Sequence, residues 1–202
     1  MDPGTTALSA AIGGRVNELR RRRRWTLDQL AGAAGVSRRM VVNVEQGAVN
    51  PSVGTLLRIS DALGVGLPAL VEQPDHQLVQ VTPSGGGAAL WTGPAGGRGV
   101  LVAGTEPPDV LELWEWTLGA DERHHSEAQA AGTRELLQVH EGRVTLEVAD
   151  QTFALEPGDA VSFPGDVPHA YASCGAAIAR FSLAVFEPGV GSARPKRTPV
   201  RP

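Results

Sequence analysis

Apolar residues recur in two rhythms along this 202-residue chain, and the change of rhythm near residue 78 divides it. Up to about Glu72 they return every three or four positions, the spacing that gathers side chains on one face of a helix. Ile12, Val16 and Leu19 mark a first helix from about Leu8 to Arg23, with residues 1 to 7 read as loose. The stretch Leu27 to Gln46, LDQLAGAAGVSRRMVVNVEQ, follows. Leu30 offers a large group to bury and Ala31 a small one where a second helix must come close. Gly35 serves the turn, because a residue leaving a helix in a left-handed conformation carries a Cβ penalty that glycine avoids. Ser37 can cap a helix from about Arg38 to Glu45 that turns Met40, Val41 and Val44 inward. Asn50-Pro51-Ser52 supplies a turn and a cap for a fourth helix from about Val53 to Leu63, stopped by Gly64, and a short fifth covers Pro68 to Glu72. Leu67, Leu70 and Val71 either close this small core or make a dimer contact.

Beyond Leu78 short apolar runs alternate with Gly and Pro clusters: LVQV, AALW, GVLVA, VLELWEWTL, ELLQV, VTLEV, FAL, AVSF, HAYA and AIARFSLAVF. Many short strands at near-even spacing predict an all-β sandwich or barrel. The chain thus reads as an all-α five-helix domain over residues 1–72, a polar linker at 73–77, an all-β domain over 78–188, and a proline-rich basic tail at 189–202, read as disordered. The length suffices for two separate cores.

Charge follows the same division. Residues 1 to 70 carry nine Lys or Arg against five Asp or Glu, and the rest nine against seventeen. A basic front and an acidic back suit a nucleic-acid module joined to something that should stay off nucleic acid. A single cysteine, Cys174, excludes an internal disulfide framework and fits a reducing compartment. No apolar run reaches membrane-spanning length and no signal-peptide pattern opens the chain, so a soluble cytoplasmic protein is expected.

Arg38, Arg39 and Asn43 are left facing outward on the third helix. A short helix with long polar side chains at its exposed N-terminal end is the element that enters a major groove and touches base edges. Five consecutive arginines, Arg20 to Arg24, end the first helix. Alone such a run reads equally well as a solvated face. Beside a helix-turn-helix, Arg21, Arg22 and Arg23 fall near the sugar-phosphate backbone, where each neutralised phosphate releases counterions. From about residue 12 to 72 the chain resembles the DNA-binding domain of the Cro and phage-repressor type, the XRE family. Arg20, Thr26, Gln29, Glu45, Gly47, Asn50-Pro51-Ser52 and LLRISDALGV at 56–65 carry the resemblance. It implies an ion pair between Arg20 and Glu45, a phosphate braced by Gln29, and bases read by Arg38, Arg39 and Asn43 beside Ser37. The partner would be double-stranded DNA bearing a near-palindromic operator, with half-site centres about 10 bp or a multiple apart.

Two segments of the second half resemble the paired motifs of the cupin family, a jelly-roll barrel. GTRELLQVHEG, from Gly132 to Gly142, contains Glu135 at the family's metal-ligand glutamate, and the segment from Gly158-Asp159 through Pro164 and Asp166 ends on His169, a metal ligand in many cupins. Where close relatives place another histidine, this chain has Gln129. The family's divalent transition metals are zinc, iron, manganese or nickel, and imidazole and carboxylate suit them. Gln129, Glu135 and His169 leave one histidine and one carboxylate on matched positions, a degenerate set. The favoured reading is therefore a metal-free pocket in which Gln129, Glu135, His169 and Tyr171 converge on a small molecule. Trp114 and Trp116 share a strand face with Glu112, inward or outward, and His140 is out of phase and points away. The resemblance implies a dimeric transcriptional regulator with a ligand-sensing barrel and no catalytic residues. The alternative is a mononuclear iron oxygenase resembling phosphonate epoxidases, which join a similar helical domain to a cupin and hold iron with two histidines and one carboxylate.

Overall fold

The computed structural model describes residues 3–71, 79–175 and 177–191, with side chains described from residue 7 onward. The expected linker at 73–77 and the tail beyond Gly191 lie outside the described residues. The N-terminal half is five helices: α1 (Pro3–Arg22), α2 (Leu27–Ala34), α3 (Arg38–Glu45), α4 (Val53–Ala62) and α5 (Pro68–Val71). Helix α1 begins five residues before the expected Leu8, so residues 3–7 are helical and not loose as expected. Pro3 stands in the first turn, where its missing N–H would find no intrahelical partner in any case, and nothing after it breaks a helix.

Local chemistry sets the other boundaries. Thr26 accepts from the Gln29 backbone N–H at 3.1 Å, while the Gln29 side-chain oxygen accepts from the Thr26 N–H at 2.8 Å, a reciprocal cap on α2. Gly35 ends α2 at φ +63°, and Ser37 then caps α3 by accepting from the Met40 N–H at 3.1 Å. Val16, Leu30, Val41, Leu56, Ile59 and Leu63 fill the core. Leu67 and Leu70 are buried as well, which resolves their reading in favour of closing this domain.

One polar contact ties the two ends of this domain's chain path together. Arg20 Nε and Nη2 reach the two Glu45 oxygens at 2.5 and 2.8 Å, Asn17 adds a 2.5 Å bond to the same carboxylate, and Arg20 Nη1 donates to the Trp25 carbonyl at 2.9 Å. Side chains of the pair are about nine-tenths buried, so each charge relies on the other.

The C-terminal half holds ten strands: β1 (Ala88–Thr92), β2 (Arg98–Gly104), β3 (Val110–Leu118), β4 (Arg123–Ser126), β5 (Arg134–Glu141), β6 (Val144–Val148), β7 (Gln151–Leu155), β8 (Ala160–Pro164), β9 (His169–Ser173) and β10 (Ala179–Glu187). They form a six-stranded sheet, β1-β2-β3-β10-β5-β8, facing a four-stranded sheet, β4-β9-β6-β7, with all pairings antiparallel. This is the expected barrel. The run LVQV is not a strand among the described residues; Val79 and Val81 are exposed, because nothing pairs with them or covers them. Strand β4, RHHS, has no apolar residue to betray it.

Helix α4 joins the two halves. Its Leu56 and Ile59 belong to the helical core, while Val53 and Leu57 stand over the mouth of the barrel. Arg58 crosses to Glu127 at 2.7 Å. Just past α4, Gly64 packs backbone to backbone against Gly191, and a Cβ on either would overlap the other's Cα. Gly189 and Val190, expected in the tail, are held instead by bonds to Asp109 and to the Pro108 carbonyl.

Glu45→Gln should cost about 3 kcal/mol in denaturant unfolding, because it leaves Arg20 buried without its counter-charge. Burial alone would raise the Glu45 pKa, but hydrogen bonds from Arg20 and Asn17 outweigh it and hold it below the ordinary 4.5. The stabilisation is therefore present above pH 4.5 and is lost as pH falls below that value through the folded pKa. Melting temperature should fall less on acidification in Glu45→Gln than in the parent chain; equal slopes would show that the pair is not the acid-sensitive element.

Candidate nucleic-acid interface and barrel pocket

Helix α3 presents two unlike faces. Val41 and Val44 are buried against α1 and α2, while Arg38 and Arg39 are exposed and Asn43 is half-buried. Buried alanines hold α3 close against α2, so its outward residues stand on a fixed support. Of the expected residues, Arg38, Arg39 and Asn43 stand on the side of α3 away from its buried valines. Arg38 makes a 3.4 Å contact with Asp28, and Arg22 a 2.5 Å contact with Glu18, both exposed to solvent. Exposed pairs contribute about 0–1 kcal/mol, so a phosphate can displace either partner at little cost. Arg21 is exposed beside them, whereas Arg23 lies alongside Gly64, away from α3. Two residues are partly occupied. The Ser37 hydroxyl is engaged as a helix cap, and the Gln29 oxygen as half of the α2 cap, leaving its amide –NH2 to donate.

Inside the barrel the four expected pocket residues converge. Glu135 is fully buried; its Oε1 accepts from Gln129 Nε2 at 2.8 Å and its Oε2 from the Tyr171 hydroxyl. His169 donates from Nδ1 to the Val167 carbonyl at 2.8 Å, which leaves Nε2 facing Glu135 Oε1 at 3.2 Å, off the line of a hydrogen bond. Burial disfavours the charged ring, but Glu135 outweighs it and raises the His169 pKa above 6.5. Burial first, then the same carboxylate, pushes the Tyr171 phenol well above 10.

The strand-face ambiguity is resolved inward. Glu112, Trp114 and Trp116 alternate toward the interior of β3, and β10 adds Phe181, Leu183 and Val185. His124, which strand β4 brings in, packs at a tilt against Trp116 at 4.6 Å and edge-on against Trp91 at 5.0 Å, and lies parallel to Tyr171 at 6.2 Å. Burial, then His169 and His125, lowers its pKa to about 4, so it is neutral at ordinary pH. His140 faces out, bonded to Ser182. Cys174 is exposed beside Thr145.

These rings nearly fill the barrel. A cavity of about 20 Å³ remains, walled by Glu112, Trp114, Trp116, Gln129, Glu135 and Tyr171 and closed above by Val53 and Leu57. Aromatic side chains thus occupy most of the pocket expected from the sequence. Two larger clefts adjoin the mouth: one of about 260 Å³ shares Leu57, Ser126 and Gln129 with the inner cavity, and one of about 510 Å³ shares Val53, His124 and Ser126 with it.

The donor set does not suit a transition metal. Glu135 spends both oxygens on hydrogen bonds, Gln129 offers an amide already turned to Glu135, and His124 is packed among the rings of Trp91, Trp116 and Tyr171. Among the described residues no group of three His, Cys, Asp or Glu side chains is placed to hold one. The two-histidine, one-carboxylate site that the oxygenase alternative needs is thus not formed by these residues.

Sequence reasoning did not assign two acids. Glu112 is buried, with Oε2 accepting from Trp114 Nε1 at 2.9 Å, and Glu187 is buried at the end of β10. The signal for Glu112 was its phase with Trp114 and Trp116. Burial, then Glu187, pushes its pKa up to about 8 against the opposing bond from Trp114. A carboxyl whose folded pKa is raised lowers stability progressively between its unfolded value near 4.5 and about 8. Glu112→Gln keeps the Trp114 bond and cannot ionise, so its melting temperature should match the parent near pH 4.5 and exceed it near pH 8. A gain independent of pH would contradict this assignment.

Comparison with known proteins bears on the two domains that carry these residues. A helix-turn-helix domain model matches residues 11–73 and a cupin domain model matches residues 114–186. The HTH-type transcriptional regulator SutR of Escherichia coli is 25% identical over 181 residues, covering 90% of this chain and 97% of that protein. An immunity repressor of Bacillus phage phi105 is 37% identical over 60 residues, covering 30% of this chain and 42% of that protein. The crystal structure of an HTH_3 family transcriptional regulator from Vibrio cholerae superposes with a TM-score of 0.69 at 26% identity, covering 91% of this chain and 99% of that one. The chain thus joins an XRE-type helix-turn-helix domain to a C-terminal cupin domain, the build of the transcriptional regulators to which it is similar.

Proposed function

We propose that this protein is a homodimeric, sequence-specific regulator that reads a near-palindromic DNA site with α3 and takes a small molecule at its barrel. The observation that carries this is the pairing of a rigidly capped helix exposing Arg38 and Arg39 with a barrel whose polar groups converge under α4. Arg39 and Asn43 read base edges; Arg38, Arg21 and Arg22 neutralise or brace phosphates, and the Gln29 amide donates to another. Arg38 leaves the base-reading group for this role because Asp28 draws it toward α2. The barrel binds and does not catalyse, and it works without a resident metal. The protein acts in the cytoplasm; among the described residues no helix is long and apolar enough to cross a membrane.

Dimerisation is supported by the outer face of the six-stranded sheet. Leu111 lies opposite Phe186 across β3 and β10, and Leu113 and Leu136 flank Ala184. These four large side chains are 39–57% exposed. A patch of this kind, repeated on a second copy, pairs with itself about a two-fold axis and sets two α3 helices at a fixed spacing. A molecule binding beneath α4 alters DNA affinity only by favouring one arrangement of the two helical domains over another.

Arg39→Ala should cost about 1–3 kcal/mol on cognate duplex and much less on random duplex, measured by fluorescence anisotropy. Neutralising Arg21 and Arg22 should weaken both and reduce the salt slope by about 1 to 2 units. Equal losses on both duplexes for Arg39→Ala would overturn the base-reading role. Introducing lysine at Leu136 and Phe186 should yield monomers by light scattering; a double variant that stays dimeric would place the interface elsewhere.

A further inference from the structure

Helix α3 carries an apolar side chain that the core does not use. Val41 and Val44 are buried, and Val36, Met40 and Val49 pack partly buried against the same core. Val42 is also half-buried but is not among the residues packed there. Two positions before Val44, it faces nearly the opposite way, and it lies one turn beyond Arg38 and Arg39 on the outward side. Arg38 is turned toward Asp28, 3.4 Å away, which leaves Val42 and Arg39 as neighbours at three-residue spacing near the middle of that side.

The seat of α3 is set by backbone. A Cβ on Gly13 of α1 would stand 2.3 Å from the Val44 carbonyl oxygen and 3.0 Å from that of Glu45, so the two helices meet there with no side chain between them. A gap of about 1 Å forfeits roughly half of a van der Waals contact, so an apolar contact on the outward side needs a support placed this firmly. Valine suits such a contact. Its branched Cβ leaves one strongly preferred rotamer in a helix, and little freedom remains to lose when it is covered.

The chemistry of the major groove then names the partner. Base edges there present nitrogen and oxygen acceptors, amino donors and one apolar group, the 5-methyl of thymine. Pressed against the polar atoms, Val42 would strip their water and return no hydrogen bond; against the methyl it buries apolar surface on both sides. Arg39 and Asn43 act through hydrogen bonds and do not make this distinction.

We infer that Val42 is a specificity-determining residue that packs on the 5-methyl group of one thymine in each half-site. This rests on the reading of α3 as the base-reading helix and names a base that the helix selects. Val42 follows Arg39 by three residues, about 4.5 Å along the helix axis, which puts the thymine within about two base pairs of the base that Arg39 contacts.

The test uses the full chain and the duplex recovered by selection from random-sequence DNA. Each thymine is replaced in turn by deoxyuridine at the equivalent place in both half-sites, which removes only the methyl group, and affinity is read by fluorescence anisotropy. At one position the parent chain should lose about three- to tenfold. Val42→Ala should bind the thymine and uracil duplexes equally at that position, while Arg39→Ala should keep the full difference between them. Alanine is the better helix former, so Val42→Ala should retain the parent's circular dichroism and its affinity for random duplex. A uracil effect of the same size in Val42→Ala and the parent, or a recovered site in which no thymine methyl matters, would overturn the role of Val42 while leaving a sequence-specific regulator. Recovery of no preferred sequence would overturn the reading of α3 as well.

Discussion

Helix α4 is shared by two cores, and that sharing is the constraint on which the rest depends. A ten-residue amphipathic helix normally buries one stripe. This one buries Leu56 and Ile59 among the helices and sets Val53 and Leu57 on the barrel. Its position is therefore fixed from both sides, with Arg58 and Glu127 bridging at the rim and Gly64 meeting Gly191 just beyond its end. Whatever changes the barrel mouth changes the seat of the helix that supports α2. The surface that meets DNA and the pocket are separate, but one packed element touches the supports of both.

The two halves manage buried charge in opposite ways. In the helical domain Arg20 and Glu45 cancel, and Asn17 and the Trp25 carbonyl absorb remaining donors and acceptors, so the pair holds α1 against α3 with nothing left over. In the barrel one polar atom of Glu112 and one of Gln129 are left without a hydrogen bond, and Glu112 stays neutral near pH 7 because ionising it beside Glu187 in a dry interior is costly. A satisfied network specifies a fold; an unsatisfied one leaves room for a ligand to complete it.

Much of the fold was legible because local signals agreed. Ser37, Ser52 and Gly35 each marked a helix boundary through side-chain or backbone chemistry that needs no distant partner. The convergence of Gln129, Glu135, His169 and Tyr171 was legible through resemblance, since their spacing alone does not bring the side chains of a loop and two strands together. What stayed hidden depended on tertiary context. Strand β4 is polar in sequence and is a strand only because β9 pairs with it, and with it came His124. LVQV has the composition of a strand, but among the described residues it forms none. The filling of the barrel by Trp114, Trp116 and Phe181, and the placement of α4 over its mouth, are packing outcomes that no single segment encodes.

The most direct measurement is a selection of the full chain against random-sequence duplex DNA at physiological salt, with the footprint of the protein mapped on the winning sequences. Two α3 helices held by paired barrels predict an enriched near-palindrome whose half-site centres lie about 10 bp or a multiple apart, both half-sites being protected. Recovery of sequences no different from the starting pool, or of a single half-site without symmetry, would contradict a dimeric sequence-specific regulator.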